Sequence, residues 1–319
     1  MQFSLLLHAQ QQEYTCLFTD SAEAKNLTDL QKSQIDSENG WYLSTTGTIR
    51  VLVVFVEIDN PGDPGNSTWM DGQLPVWADD LLDNTVLANP QGELSRFYHE
   101  ASSGNLNVIG DYLVAPTNNG VIELPTGSSP SVNSTLINTI NSQMNGNFIT
   151  SSGGTNPLVY DNWTKTGPGL PKTTPSQDSP AKYDHVMYLF RNGLGAGTGS
   201  ASSFGHSSLL LGYAADTYSR AGAGSGIPTK ICEHEFNHLL LGSNSFHTCG
   251  GGSQVSNYWI PTTGGHAMLG LSGSALQTWN GWDRHRLGWK APGNTHLISA
   301  RTAWGAEVNG DLDASDPAD

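Results

Sequence analysis

Apolar positions follow two rhythms along this chain. From Ile49 to Ile58 (IRVLVVFVEI) they run almost unbroken and are mostly β-branched. Such a run suits a strand covered on both faces, as in the middle of a parallel sheet. It ends in the turn cluster Asp59-Asn60-Pro61-Gly62. Tyr183 to Phe190 (YDHVMYLF) repeats the buried pattern, and Leu106 to Val114 (LNVIGDYLV) alternates as a strand should. Ser207 to Tyr213 is a further candidate strand. The second rhythm is helical. Pro90 to Ala101 predicts a helix stopped by Ser102-Ser103-Gly104, and Val132 to Met144 predicts another. A third should begin after Gly226-Ile227-Pro228, because proline is favoured in a first turn. It should run through Leu241 and stop at Gly242. Ser274 to Leu287 predicts the last helix. Residues 145–181 and 193–199 are rich in Gly, Pro, Ser and Thr and read as connections.

Strands interleaved with helices put the chain in the α/β (α+β) class. Residues 1–46 are polar and mixed and read as an N-terminal extension. Residues 47–292 hold the patterned body, and residues 293–319 form an acidic tail or the start of a linker. The opening MQFSLLLHAQQQ reads either as the end of a secretory signal or as an ordinary apolar segment.

Composition narrows the function. The 319 residues carry a net charge of −15, which a phosphate backbone would repel, so nucleic acid is not an expected partner. No apolar run approaches the ~20 residues that a bilayer span requires. Charged residues make up only 13% and glycines number 37, a balance that suits a loop-rich extracellular domain. Asn26, Asn66, Asn133 and Asn162 each open an Asn-x-Ser/Thr triplet and permit glycosylation.

The chemistry concentrates in the third helix, at His234-Glu235-Phe236-Asn237-His238. Residues four apart lie one turn apart on the same helical face, so both imidazoles can reach one cation. Neutral imidazoles suit Zn²⁺. Glu235 is offset around the helix and can act as general base on a water polarised by the metal. The same carboxyl group can then pass the proton to a departing amine. Chance would place this pattern in about 0.01 chains of such composition. A catalytic zinc needs a third protein ligand and an open fourth position. His247 is favoured, since a Gly-stopped helix and a short return loop bring it back; His266, Asp283 and Glu233 compete.

Three cysteines occur, Cys16, Cys232 and Cys249. Cys232 lies two residues before His234 and Cys249 two after His247, so a disulfide between them would pin the ligand loop to the helix. Cys16 is a candidate latency ligand. Asp59, Asp63, Asp71, Asp79 and Asp80 make the loop after the first strand acidic. A solvated loop is the simpler reading, with Ca²⁺, which takes hard oxygen ligands, as a second candidate cofactor. Trp279, Trp282 and Trp289 should pack around the last helix. Neither a phosphate-binding glycine loop nor G-x-S-x-G occurs.

Read together, these blocks resemble the immune inhibitor A family of secreted bacterial metallopeptidases, within the metzincin-like zincins. The resemblance covers roughly residues 49–290. It rests on RVLVVFVEIDN, SRFYHEASSGNLNVIGDYL, KYDHVMYLF, HEFNHLLLG, HAMLG and WNGWDRHRLGW in that order. It implies a twisted mixed sheet with an active-site helix and a smaller C-terminal subdomain. It also implies His234 and His238 as zinc ligands, Glu235 as base and Met268 as the Met-turn residue below the metal. The chain departs from the pattern at Asn237, where the family has Gly, and at SNSFH, where an acidic residue usually follows the helix. The expected activity is hydrolysis of peptide bonds in extracellular protein or peptide substrates. The alternative is a non-catalytic cell-surface binding or adhesion module that retains a structural zinc.

Overall fold

The computed structural model describes residues 43–163, 182–192, 199–201, 209–223, 226–241, 284 and 287–289. Strand β1 (Gly47–Ile58) is followed by a two-stranded ribbon, β2 (Gly65–Asn66) and β3 (Trp69–Met70). Helix α1 (Glu93–Ala101) leads into β4 (Leu106–Tyr112) and β5 (Ile122–Leu124), and α2 (Ser134–Met144) follows. Then come β6 (Lys182–Tyr183), β7 (His185–Phe190), β8 (Gly199–Ala201), β9 (Leu209–Leu210), β10 (Tyr213–Ala215) and β11 (Tyr218–Gly222). Helix α3 (Thr229–Leu241) carries the His-Glu-x-x-His motif. The expected helix over 274–287 lies almost wholly outside the described residues.

Among the described residues six strands make the main sheet, in the order β4-β1-β7-β11-β8, with β5 also paired to β1. Every pairing is parallel except β8 on β11, so the sheet is mixed but dominated by parallel strands. β1 sits in the middle, which explains its unbroken apolar run. Ile49, Val51, Val53 and Phe55 enter one core cluster, together with residues of α1 and α3. Leu52, Val54, Val56 and Ile58 enter the other, together with α2. One strand thus serves two cores, and each buried aliphatic side chain contributes about 1.5–3 kcal/mol. Gly110 is needed where β4 meets β1: a Cβ there would stand 2.0 Å from the Val51 carbonyl oxygen. Asn133 caps α2, accepting from the Leu136 amide at 3.0 Å, and Asn145 closes it in the left-handed region at φ 50°.

The acidic loop after β1 is not gathered around a cation site. Its anchor is Arg191, at the end of β7, whose side chain is 3% exposed. The guanidinium donates to Glu57 at 3.0 Å, to Asp63 at 3.4 Å and to Asp71. Glu57 also accepts from the Gly72 amide. Asp59 accepts from the Thr126 hydroxyl at 2.8 Å. A guanidinium thus already neutralises part of the loop, at Glu57, Asp63 and Asp71. Burial first of all, against the Gly72 amide and Arg191, raises the Glu57 carboxyl above its ordinary value.

The core begins earlier than the boundary expected at residue 47. Leu43 and Thr45 are fully buried, and the Leu43 amide donates to the Leu239 carbonyl of α3 at 3.1 Å. Trp289, also fully buried, donates its indole N–H to the Thr45 carbonyl at 2.6 Å. Among the described residues no helix is long and apolar enough to cross a membrane.

Candidate metal centre

Helix α3 starts right after Pro228, as the sequence predicts, and packs against β11, β8 and α1. Its inward residues Cys232, Phe236, Leu239 and Leu240 belong to the same core cluster as β1. Packing on that side turns the motif's two imidazoles to one flank. His234 and His238 bring their Nε2 atoms to 3.3 Å from one another, with ring centroids 4.9 Å apart and planes at 81°. His238 is fully buried, and His234 is half-buried. Glu235 is 2% exposed.

Two neighbouring elements grip this turn of helix. The Tyr98 hydroxyl of α1 donates to Asn237 Oδ1 at 2.9 Å and lies 3.3 Å from the Glu233 carbonyl oxygen. Phe236 meets the Tyr98 ring and the His185 ring, each at 5.1 Å between centroids. His185 is itself held between Thr217 Oγ1 and Ser219 Oγ, both at 2.8 Å. The Thr217 hydroxyl donates to the Asp184 carbonyl at 3.0 Å, so it accepts from His185 Nδ1–H, which fixes the ring's tautomer.

Of the competing third ligands, Glu233 faces elsewhere. It is 4% exposed and lines a cavity of about 430 Å³ with Glu93, Ile227, Pro228, Thr229, Lys230 and Ile231, to which neither motif histidine contributes. Burial, and then the charge of Glu93, push its carboxyl up to about 8, against the pull of Lys230. His247, His266, Met268, Cys249, Asp283 and Cys16 lie outside the described residues.

Of the disulfide expected between Cys232 and Cys249, the described residues hold only Cys232. Cys232 is a free thiol, 1% exposed, and its side chain belongs to the apolar core. The helical turn that aims His234 outward aims Cys232 inward, two residues and about 200° away. Burial first, then the charges of Glu233 and Glu235, push its thiol far above the ordinary range.

A second group of ligand atoms was not visible in the sequence. Asp161, Asp184 and Asp216 are all buried, and one ligand atom from each lies within 4.8 Å of the others. These three carboxylates could hold a metal ion. Asp161 follows the short helical turn Pro157–Tyr160, Asp184 separates β6 from β7, and Asp216 separates β10 from β11. Backbone amides orient them: Arg50 and Trp163 donate to the two oxygens of Asp184 at 2.9 and 3.0 Å, and Lys182 donates to Asp161 at 3.1 Å. An all-oxygen set of this kind suits a hard cation rather than zinc. The three residues span more than fifty positions and share no local spacing. Their only signal was an aspartate set beside strand residues where burial is expected, as in Tyr183-Asp184-His185.

No protein-family model matches the chain, and no curated protein matches it. The functional reading therefore rests on the residues and their arrangement.

Proposed function

We propose that the chain is a secreted zincin, a zinc-dependent endopeptidase with His234 and His238 as metal ligands and Glu235 as general base. One observation carries the reading. Two nitrogens each 2.0–2.1 Å from a tetrahedral zinc stand about 3.3–3.4 Å apart, and the motif's Nε2 atoms are separated by 3.3 Å. The donor set of two imidazoles beside a carboxylate also fits zinc. His247 is the third ligand in this proposal, on the spacing already given. A zinc held there supplies electrophilic activation of a carbonyl and of a water. Glu235 accepts the attacking water's proton and delivers it to the leaving amine. Among the described residues the antiparallel strand β8 forms the sheet edge next to α3, a position that suits pairing with an extended peptide. Calcium is the ion for the Asp161, Asp184 and Asp216 set.

Metal analysis together with a protein-digestion assay tests this. The protein should carry one zinc equivalent and lose its activity to a chelator. Glu235→Ala should keep the zinc and lose hydrolysis by at least about a hundredfold, whereas His234→Ala should lose both. A chain that binds zinc yet digests nothing would return the reading to a binding module with a structural ion. A chain that binds no zinc would refute both readings.

A further inference from the structure

Asn237 is an unusual residue to bury inside a helix that is also a wall of the core. It is fully buried, and its Oδ1 accepts from the Tyr98 hydroxyl at 2.9 Å. The other half of the amide, Nδ2, is buried with no hydrogen-bond partner among the described residues. A buried amide satisfied at one end only is costly, and an aliphatic side chain of the same volume would serve stability better. Tyr98 is equally buried, and its hydroxyl touches two points of α3, Asn237 Oδ1 and the Glu233 carbonyl oxygen at 3.3 Å. Those points bracket His234, Glu235 and Phe236. They are one helical turn apart, so a single hydroxyl fixes both the height and the rotation of that turn.

Rotation matters more than height here. Imidazole nitrogens stand roughly 6 Å from the helix axis, counting the ~2.3 Å Cα radius. A ten-degree roll of α3 would carry each of them about 1 Å sideways, enough to spoil a shared ligand geometry. The apolar side chains Cys232, Phe236, Leu239 and Leu240 decide which flank of α3 faces the core, and a directional contact adds finer control of the roll. A hydrogen bond has an angle as well as a length and resists it.

We propose that Tyr98 and Asn237 are positioning residues for the metal centre: their buried hydrogen bond sets the rotation of α3 and so the approach of His234 and His238 to a shared ion. The inference rests on the zinc reading above and extends it to two residues that touch neither metal nor substrate. The experiment compares wild type, Tyr98→Phe, Asn237→Leu and the double variant. It measures the zinc dissociation constant by chelator competition, the visible spectrum of the cobalt-loaded protein, and the melting temperature of each apo form. Either single change should raise the zinc dissociation constant about tenfold, the scale for groups that orient ligands. Each should also shift the cobalt spectrum, and the double variant should be no worse than either single one. Wild-type affinity and spectrum in both single variants, with only the melting temperature altered, would overturn the proposal. Should one variant fail to fold, the other decides by the same readings. Absence of zinc binding in wild type is a separate outcome: it overturns the metal reading and this inference with it.

Discussion

Replacing Arg191 with Met tests whether the loop after β1 is held by charge or by packing. The side chains of Arg191 and Glu57 are 3% and 1% exposed, so the Arg191→Met variant leaves a carboxyl group buried without its cation. Breaking a buried pair in this way costs about 3–5 kcal/mol. Asp63 and Asp71 add little to that figure, because their side chains are 34% and 53% exposed and water screens them. The loss should depend on pH, and its sign follows from Glu57. Burial already raises this carboxyl from its ordinary 4.5, while Arg191 opposes the rise. Without Arg191 it climbs further. The folded state then binds a proton that the unfolded state releases, so stability is present below about 4.5 and falls as pH rises through the folded value. The slope reaches about 1.4 kcal/mol per pH unit inside that window. Urea unfolding at pH 5 and pH 8, read as the difference from wild type, should show a much larger deficit at pH 8. The double variant Glu57→Gln/Arg191→Met should lose most of that pH dependence, since the neutral amide that replaces the carboxyl group can still accept from the Gly72 N–H. An equal deficit at both pH values would mean that Arg191 acts by filling space, and the electrostatic account would fall.

Two further outcomes are expected. Asp184→Asn should destabilise by about 1–3 kcal/mol, because an amide cannot accept both backbone N–H groups that Asp184 now accepts. If calcium occupies the aspartate set, wild type should also gain about 2.7 kcal/mol at one hundred times the dissociation constant, and Asp184→Asn should not. Identical melting curves for wild type in calcium and in chelator would exclude the ion. Cys232 should resist a thiol reagent in the native protein and react once urea unfolds it, given its burial and its raised thiol. Rapid native labelling at Cys232 would contradict the packing of α3 against the sheet.

The legible parts of this protein were those with a local period. The run from Ile49 to Ile58 marked the central strand to within two residues, because burial on both faces keeps its middle, Val51 to Val56, wholly apolar. Pro228 marked the start of α3, because it fixes the first-turn backbone and lacks the N–H a helix does not need there. Long-range pairing was hidden. Asp161, Asp184 and Asp216 meet only because three connections end together at one side of the sheet. Arg191 closes on Glu57 over a separation of 134 residues. The place of Cys232 was hidden for a different reason. Spacing along the chain put Cys232 near His234, but a helix sends residues two apart to opposite sides, and Cys232 went to the core.

That division of α3 into sides decides how a substitution within the motif must be read. Every residue from Cys232 to Asn237 other than His234 is buried: Cys232 enters the core, Glu233 a cavity wall, while Phe236 meets the His185 ring and Asn237 the Tyr98 hydroxyl. A substitution chosen to probe chemistry therefore disturbs packing as well, and loss of activity by itself says nothing about role. Glu235 is 2% exposed, so Glu235→Ala opens space in a packed helix while removing a proton acceptor. Metal content separates the two effects. A packing failure rotates or frays the helix and releases the ion, whereas loss of the base alone leaves both imidazoles where they stand. Zinc retained with hydrolysis lost is thus the one pattern that assigns the proton to Glu235, and zinc lost alongside activity would leave the carboxylate a structural part of α3.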